Sequence, residues 1–156
     1  MHVRTTLIAL MMTASPAMAG KEVAMEEVPT AARETAINTA PGLDVDRIEV
    51  EEESGRLVYE FEGRGPGGGR IEVDVYADGE LEEVEMETAE ASLPADVLAA
   101  IEKRFEAFRI TYAETSVRSN GRFVYEIEGV TADGAEIAID VAETGEVLAI
   151  EGAASS

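Results

Sequence analysis

One six-residue phrase occurs twice in this chain, as VYEFEG at positions 58–63 and VYEIEG at 124–129. An internal repeat constrains a fold more than any composition does, because each copy is one supersecondary unit whose apolar face must be buried in the same way. The echo extends beyond the phrase. At an offset of 66 residues, Ile71-Glu72-Val73-Asp74-Val75 falls on Ile137-Ala138-Ile139-Asp140-Val141, and Gly79-Glu80-Leu81 falls on Gly145-Glu146-Val147. Upstream, Val28-Pro29 matches Leu93-Pro94 at an offset of 65. The chain therefore reads as a tandem duplication, with repeats at 28–90 and 93–152.

Within each copy the hydrophobic period changes once. After Pro94, a residue suited to a first helical turn, Val97, Ile101, Phe105 and Phe108 recur at helical spacing and predict one apolar helix face. Thr30 to Ala40 is a weaker counterpart that stops at Pro41-Gly42. Beyond each helix the period becomes two. Ile48 and Val50 alternate with Glu49 and Glu51, Tyr59 and Phe61 with Glu60 and Glu62, and Val73 and Val75 with Glu72 and Asp74. Asp78-Gly79 and Thr144-Gly145 mark tight turns between the last two strands of each copy. The expected fold is α+β: two tandem repeats, each a helix followed by a three- to four-stranded antiparallel sheet with its second face free.

The first residues predict an export signal. MHVR is positively charged, LIALMM is a short apolar run, and Ala17-Met18-Ala19 supplies a small-x-small cleavage pattern, so residues 1–19 are read as a signal peptide and the protein as periplasmic or secreted. The apolar run falls short of the ~20 residues that cross a bilayer, and no membrane insertion is expected.

Charge and residue content then exclude function classes. The chain has 33 acidic and 12 basic residues, a formal charge of -21. Such a surface repels phosphate backbones and anionic lipid, which argues against nucleic-acid partners. Beyond residue 19 there is no histidine, and the whole chain has no cysteine. Ser/His/Asp and Cys/His nucleophile systems and the usual zinc or copper sites therefore lack their parts. The reading is a non-enzymatic protein, with no catalytic residues, no assigned metal ligands and no cofactor.

The remaining candidates are carboxylates and two arginines. If Glu49, Glu51, Glu60, Glu62, Glu72 and Asp74 all point away from the helix, the first repeat presents an acidic face fit for a basic partner or for a hard cation such as Ca²⁺. The alternative is a solvated face that protects the sheet from aggregation. Arg64 and Arg70 flank a glycine-rich loop, Gly65 to Gly69, that lacks the G-K-[ST] ending of a phosphate loop. They are candidate contacts for an acidic partner. Asp44-Val45-Asp46 fails the calcium-loop pattern, because Ile48 stands at the third ligand position. The second repeat is milder, carrying 12 acidic and five basic residues over 93–152 against 18 and five over 28–92. Ala138 stands where the first repeat has Glu72, which makes the quieter face a candidate for contact between repeats or with a partner.

Gly121 to Gly129 (GRFVYEIEG), Asp133-Gly134 and Asp140 to Leu148 (DVAETGEVL) together resemble the PepSY family. The first copy departs from its closing pattern, reading Tyr76-Ala77-Asp78-Gly79-Glu80-Leu81-Glu82, and is similar to the divergent PepSY-like branch. The resemblance implies a small exported or surface-attached module, many of which are tied to peptidase propeptides and bind or restrain proteases. A pair of helix-plus-sheet repeats is also similar in architecture to bacterial inhibitors of β-lactamase. The expected partner is thus an unidentified protein, a peptidase being the first candidate. Low-affinity calcium binding by an acidic protein is the alternative.

Overall fold

The structure is a computed structural model that describes residues 20–152, so the reading of 1–19 as an export signal lies outside the described residues. The elements are β1 (Lys21–Glu22), α1 (Thr30–Thr39), β2 (Asp44–Glu53), β3 (Arg56–Arg64), β4 (Arg70–Tyr76), β5 (Leu81–Glu87), α2 (Ala95–Arg104), β6 (Arg109–Arg118), β7 (Phe123–Val130), β8 (Glu136–Ala142) and β9 (Val147–Gly152). Single turns of 3₁₀ helix at Met25–Glu27 and Glu90–Ser92 lead into the two helices.

All nine strands form one antiparallel sheet in chain order. This corrects the expected fold class: the described residues are largely β, with two short α-helices on a single nine-stranded sheet rather than two helix-plus-sheet units. The join is the pairing of β5 with β6, running from Glu83 opposite Arg118 to Glu87 opposite Glu114. Period-two alternation specifies which face a residue takes and carries no information on whether a strand edge finds a partner. Here each repeat's free edge satisfies the other's backbone groups, which removes two exposed edges from the sheet.

The alternation within strands holds. Val28, Ala32, Ala36, Ile48, Tyr59, Phe61, Val73 and Val75 form one core cluster under α1. Leu93, Val97, Ile101, Ala113, Tyr125, Ile127, Ile139 and Val141 form its counterpart under α2. Val84 on β5 opposes Val117 on β6, so the two clusters lie on the same side of the continuous sheet. Tyr59 and Tyr125 occupy equivalent buried positions, as their sequence period predicts.

Ten-residue helices are marginal alone, so packing must hold them. Alanines on α1 allow a close approach, and the Thr35 hydroxyl donates to the Gly79 carbonyl at 2.7 Å. A Cβ at Gly79 would lie 3.0 Å from that of Ala31, and one at Gly145 would lie 2.7 Å from the Asp96 carbonyl oxygen. The repeated turn glycine is therefore where each helix rests on the sheet. α2 stops earlier than its spacing predicts. Phe105 is already extended and Ala107 takes a positive φ of 52°, so Phe105 and Phe108 stack beyond the helix with ring centroids 5.5 Å apart.

Gly63 and Gly129, the last residues of the repeated phrase, lie inside β3 and β7 rather than ending them. Opposite each lies a bulge, between Val45 and Arg47 on β2 and between Ile110 and Tyr112 on β6. A side chain at Gly63 would collide with the Asp44 backbone, and one at Gly129 with the Phe108 ring and the Arg109 carbonyl. The close approach admits only glycine.

Candidate docking face

Because most apolar positions of the strands face the helices, the alternate positions share the opposite side, which carries no helix and where Val58 and Val124 are the buried apolar exceptions. Glu49, Glu51, Glu60, Glu62, Glu72 and Asp74 all fall on that side by strand register. Strand pairing sets them in rows across the sheet. One row runs Glu49, Glu60, Asp74, Glu83 and Arg118; the next runs Glu62, Glu72, Glu85, Ser116 and Val124. A third continues from Glu87 through Glu114 and Glu126 to Asp140. Side chains directly opposite on antiparallel strands stand about 4.5–5.5 Å apart at Cβ, so most of these neighbours repel.

Three guanidinium groups lie within the rows. Arg47 pairs with Glu62 at 2.5 Å and with Glu49 at 3.4 Å. Arg70 pairs with Glu72 at 2.8 Å and Glu62 at 3.3 Å. Arg118 pairs with Glu83 at 3.0 Å and Glu126 at 3.4 Å. Arg70 is thus half-buried in the carboxylate face and not a loop-tip contact. Arg64 stays exposed and turns back on its own loop, donating to the Gly68 carbonyl at 2.9 Å.

The crowding has a large electrostatic cost. Glu60 and Glu72 are 8% and 6% exposed although no helix covers them. Burial, with Glu51 and Glu72 nearby, pushes Glu60 up to about 8. Burial and the charges of Glu114 and Glu72 push Glu85 up to about 10. Glu126 rises to about 8 by burial and the proximity of Asp140, and Glu114 to about 7, mainly by burial. Glu72 also rises through burial, with Arg70 working against the shift. At neutral pH several of these carboxyls hold protons, so the face is less negative than its composition suggests.

Glu83, Glu85, Glu114, Glu126, Arg47 and Arg118 were not singled out by the sequence. The strand carrying Glu83 and Glu85 is interrupted at Glu82 by a bulge between registers Asp74–Glu83 and Val75–Leu81. Its apolar residues Leu81, Val84 and Met86 therefore miss strict alternation. The offset of 66 that aligned Glu60 with Glu126 was the available signal for the latter.

The sequence profile described as PepSY, peptidase propeptide and YPEB domain, matches residues 29–80 and 93–151. The chain belongs to the PepSY family. Two matched segments are consistent with a tandem PepSY-like arrangement. No curated protein is similar enough to count as a match. Among solved structures, the fold is similar to a protein described as periplasmic from Bacteroides eggerthii, at 16% identity and a TM-score of 0.65, covering 80% of this chain and 88% of that one. It is similar to a DUF2874 family protein from Bacteroides uniformis at 12% identity and a TM-score of 0.64, over 80% and 89% of the two chains. A BLIP-like protein from Bacteroides fragilis aligns at 15% identity and a TM-score of 0.62, over 83% and 89%. At these identities the likeness is one of fold. Among the described residues, no helix of this PepSY protein is long and apolar enough to cross a membrane.

Proposed function

We propose that this PepSY protein is an exported, non-enzymatic interaction module that binds, and in doing so restrains, an extracytoplasmic peptidase through the helix-free face of its sheet. The observation that carries this reading is the sidedness of the molecule. Both helices cover one face, while the other gathers acidic side chains from both repeats in registered rows. A periplasmic location is supported by the descriptions of its structural neighbours, and a peptidase partner by the family's description.

A face of this kind suits a basic surface, whose cations replace protons and lift the repulsion among the carboxylates. Purified protein lacking residues 1–19, assayed against a panel of extracytoplasmic peptidases, is expected to inhibit at least one of them. The double variant Glu49→Lys/Glu51→Lys, at the face's margin, is expected to weaken that inhibition at least tenfold. No inhibition across the panel, or inhibition indifferent to the charge reversal, sinks the reading.

A further inference from the structure

The last strand of the first repeat and the central strand of the second bring three carboxylates to one point. Oxygens of Glu83 and Glu85 on β5 and of Glu126 on β7 all lie within 4.8 Å of one another, across the intervening strand β6. An acidic cluster alone is common on protein surfaces. A second observation distinguishes this one. Asp74 stands opposite Glu83 in the β4–β5 register, and its carboxylate is crowded by Glu72, Glu85, Glu60 and Glu83. The residue as a whole is half-buried, yet its Oδ1 is sealed from solvent and has no hydrogen-bond partner among the described residues. A buried carboxylate oxygen without a donor is costly, and here the groups that crowd it are all carboxyls.

The cation already present does not fill this role. Arg118 contacts one oxygen of Glu83 and one of Glu126, and the Ser116 hydroxyl donates to the same Glu83 oxygen. One guanidinium faces three clustered carboxylates and Asp74 beside them. Glu85 makes no hydrogen bond or ion pair among the described residues, and the second oxygens of Glu83 and Glu126 are likewise left over. Ligands of this kind, all oxygen and with no nitrogen or sulfur, suit a hard cation. Ca²⁺ takes 6–8 oxygens in flexible geometry, whereas Mg²⁺ demands a near-ideal octahedron, so side chains from two strands of a sheet fit Ca²⁺ better.

We propose that Glu83, Glu85 and Glu126, with Asp74 beside them, form a Ca²⁺ site that ties the first repeat to the second across β6. The ion occupies the seam, so its effect is to clamp the junction of β5, β6 and β7. Affinity is expected at about 10⁻⁴–10⁻³ M, the range of extracellular calcium modules, since Arg118 competes for two of the ligands. This inference does not depend on the peptidase reading: a chain that binds Ca²⁺ without inhibiting a peptidase, or the reverse, separates the two.

The test is calorimetric titration of CaCl₂ into the chain lacking residues 1–19, at constant ionic strength set with NaCl. One saturable Ca²⁺ per chain is expected. Glu85→Gln and Glu126→Gln should each weaken binding at least tenfold, while Glu102→Gln, exposed on α2 on the other side of the sheet, should leave it unchanged. Both glutamine variants relieve repulsion and should remain folded by circular dichroism, and hydrogen exchange on wild-type protein should show Ca²⁺ slowing the β5 and β6 amides. Absence of a saturable heat, equal binding by Glu85→Gln, or the same stabilisation from NaCl alone would overturn the site.

Discussion

The two repeats have matching cores and unlike faces. Under the helices the correspondence is close: Tyr59 and Phe61 are replaced by Tyr125 and Ile127, and Val73 and Val75 by Ile139 and Val141, all buried. On the other side the copies diverge. In the first repeat Glu62 opposes Glu72, whereas in the second Glu128 opposes Ala138, and the row that begins with Glu62, Glu72 and Glu85 ends on Ser116, Val124 and Ala142. The core positions are held by the fold, because any change of volume there is felt by the helix above it. The outer positions are free of that constraint, so the charge gathered on the first repeat and continued to the seam is where this chain differs from a plain structural repeat.

The largest expected effect concerns what the copies share. Phe61→Ala should cost about 3–5 kcal/mol and Ile127→Ala about 2–5 kcal/mol, since both side chains are almost fully buried and neither site can collapse easily. If the β5–β6 pairing makes the sheet one cooperative unit, each variant lowers a single unfolding transition seen alike by circular dichroism and calorimetry. Two transitions, only one of them shifted by each variant, would show that the repeats unfold separately.

Next in size is a pH effect that the first repeat should dominate. An unfolded glutamate titrates near 4.3, but in the folded chain Glu60 and Glu53 rise to about 8 and Glu85 to about 10, in each case first through burial. Between those limits the native chain binds more protons than the unfolded one. Stability is thus greatest on the acid side and is lost as pH rises from about 5 through 8 and beyond. The melting temperature is expected to fall by several degrees between pH 5.5 and 8.5, at about 2–4 °C per kcal/mol for a chain of this size. Glu60→Gln should flatten that slope more than Glu128→Gln, since Glu60 is the buried member of the two. A melting temperature that rises over this interval would contradict the crowded face.

How much of this was legible in the sequence differs between the two faces. Alternation placed Tyr59, Phe61, Glu60 and Glu62 on their correct sides because a strand's side chains have a period of two whatever the strand pairs with. The repeat offset likewise located equivalent strands. The single sheet was not legible, because the pairing of Glu83 with Arg118 depends on an edge-to-edge meeting that no local pattern encodes. Arg70 borders five residues rich in glycine, a setting that predicts a loop arginine, yet β4 begins at Arg70 and its side chain joins Glu62 and Glu72. The cluster of Glu83, Glu85 and Glu126 was hidden twice, by the bulge at Glu82 and by the distance in sequence between β5 and β7.

The smallest effect comes from exchanging the position at which the faces diverge most simply. Ala138→Glu would place a carboxylate between Glu128 on one side and Glu151 on the other, both in register with it. No arginine is paired with either glutamate among the described residues, so the second repeat lacks the compensation that Arg70 gives Glu72. Like charges opposite one another should cost about 0.5–1 kcal/mol in dilute buffer, and the loss should shrink as added salt screens them. Glu72→Ala is not the mirror image. It relieves repulsion with Glu62 and Glu85 but takes from Arg70 its closest carboxylate partner, so its net effect should be smaller, within about 0.5 kcal/mol. Chemical denaturation of both variants at low and high salt measures the difference. If Ala138→Glu is as harmless as Glu72→Ala at low salt, the second face tolerates charge as readily as the first, and the asymmetry between repeats is drift rather than electrostatics.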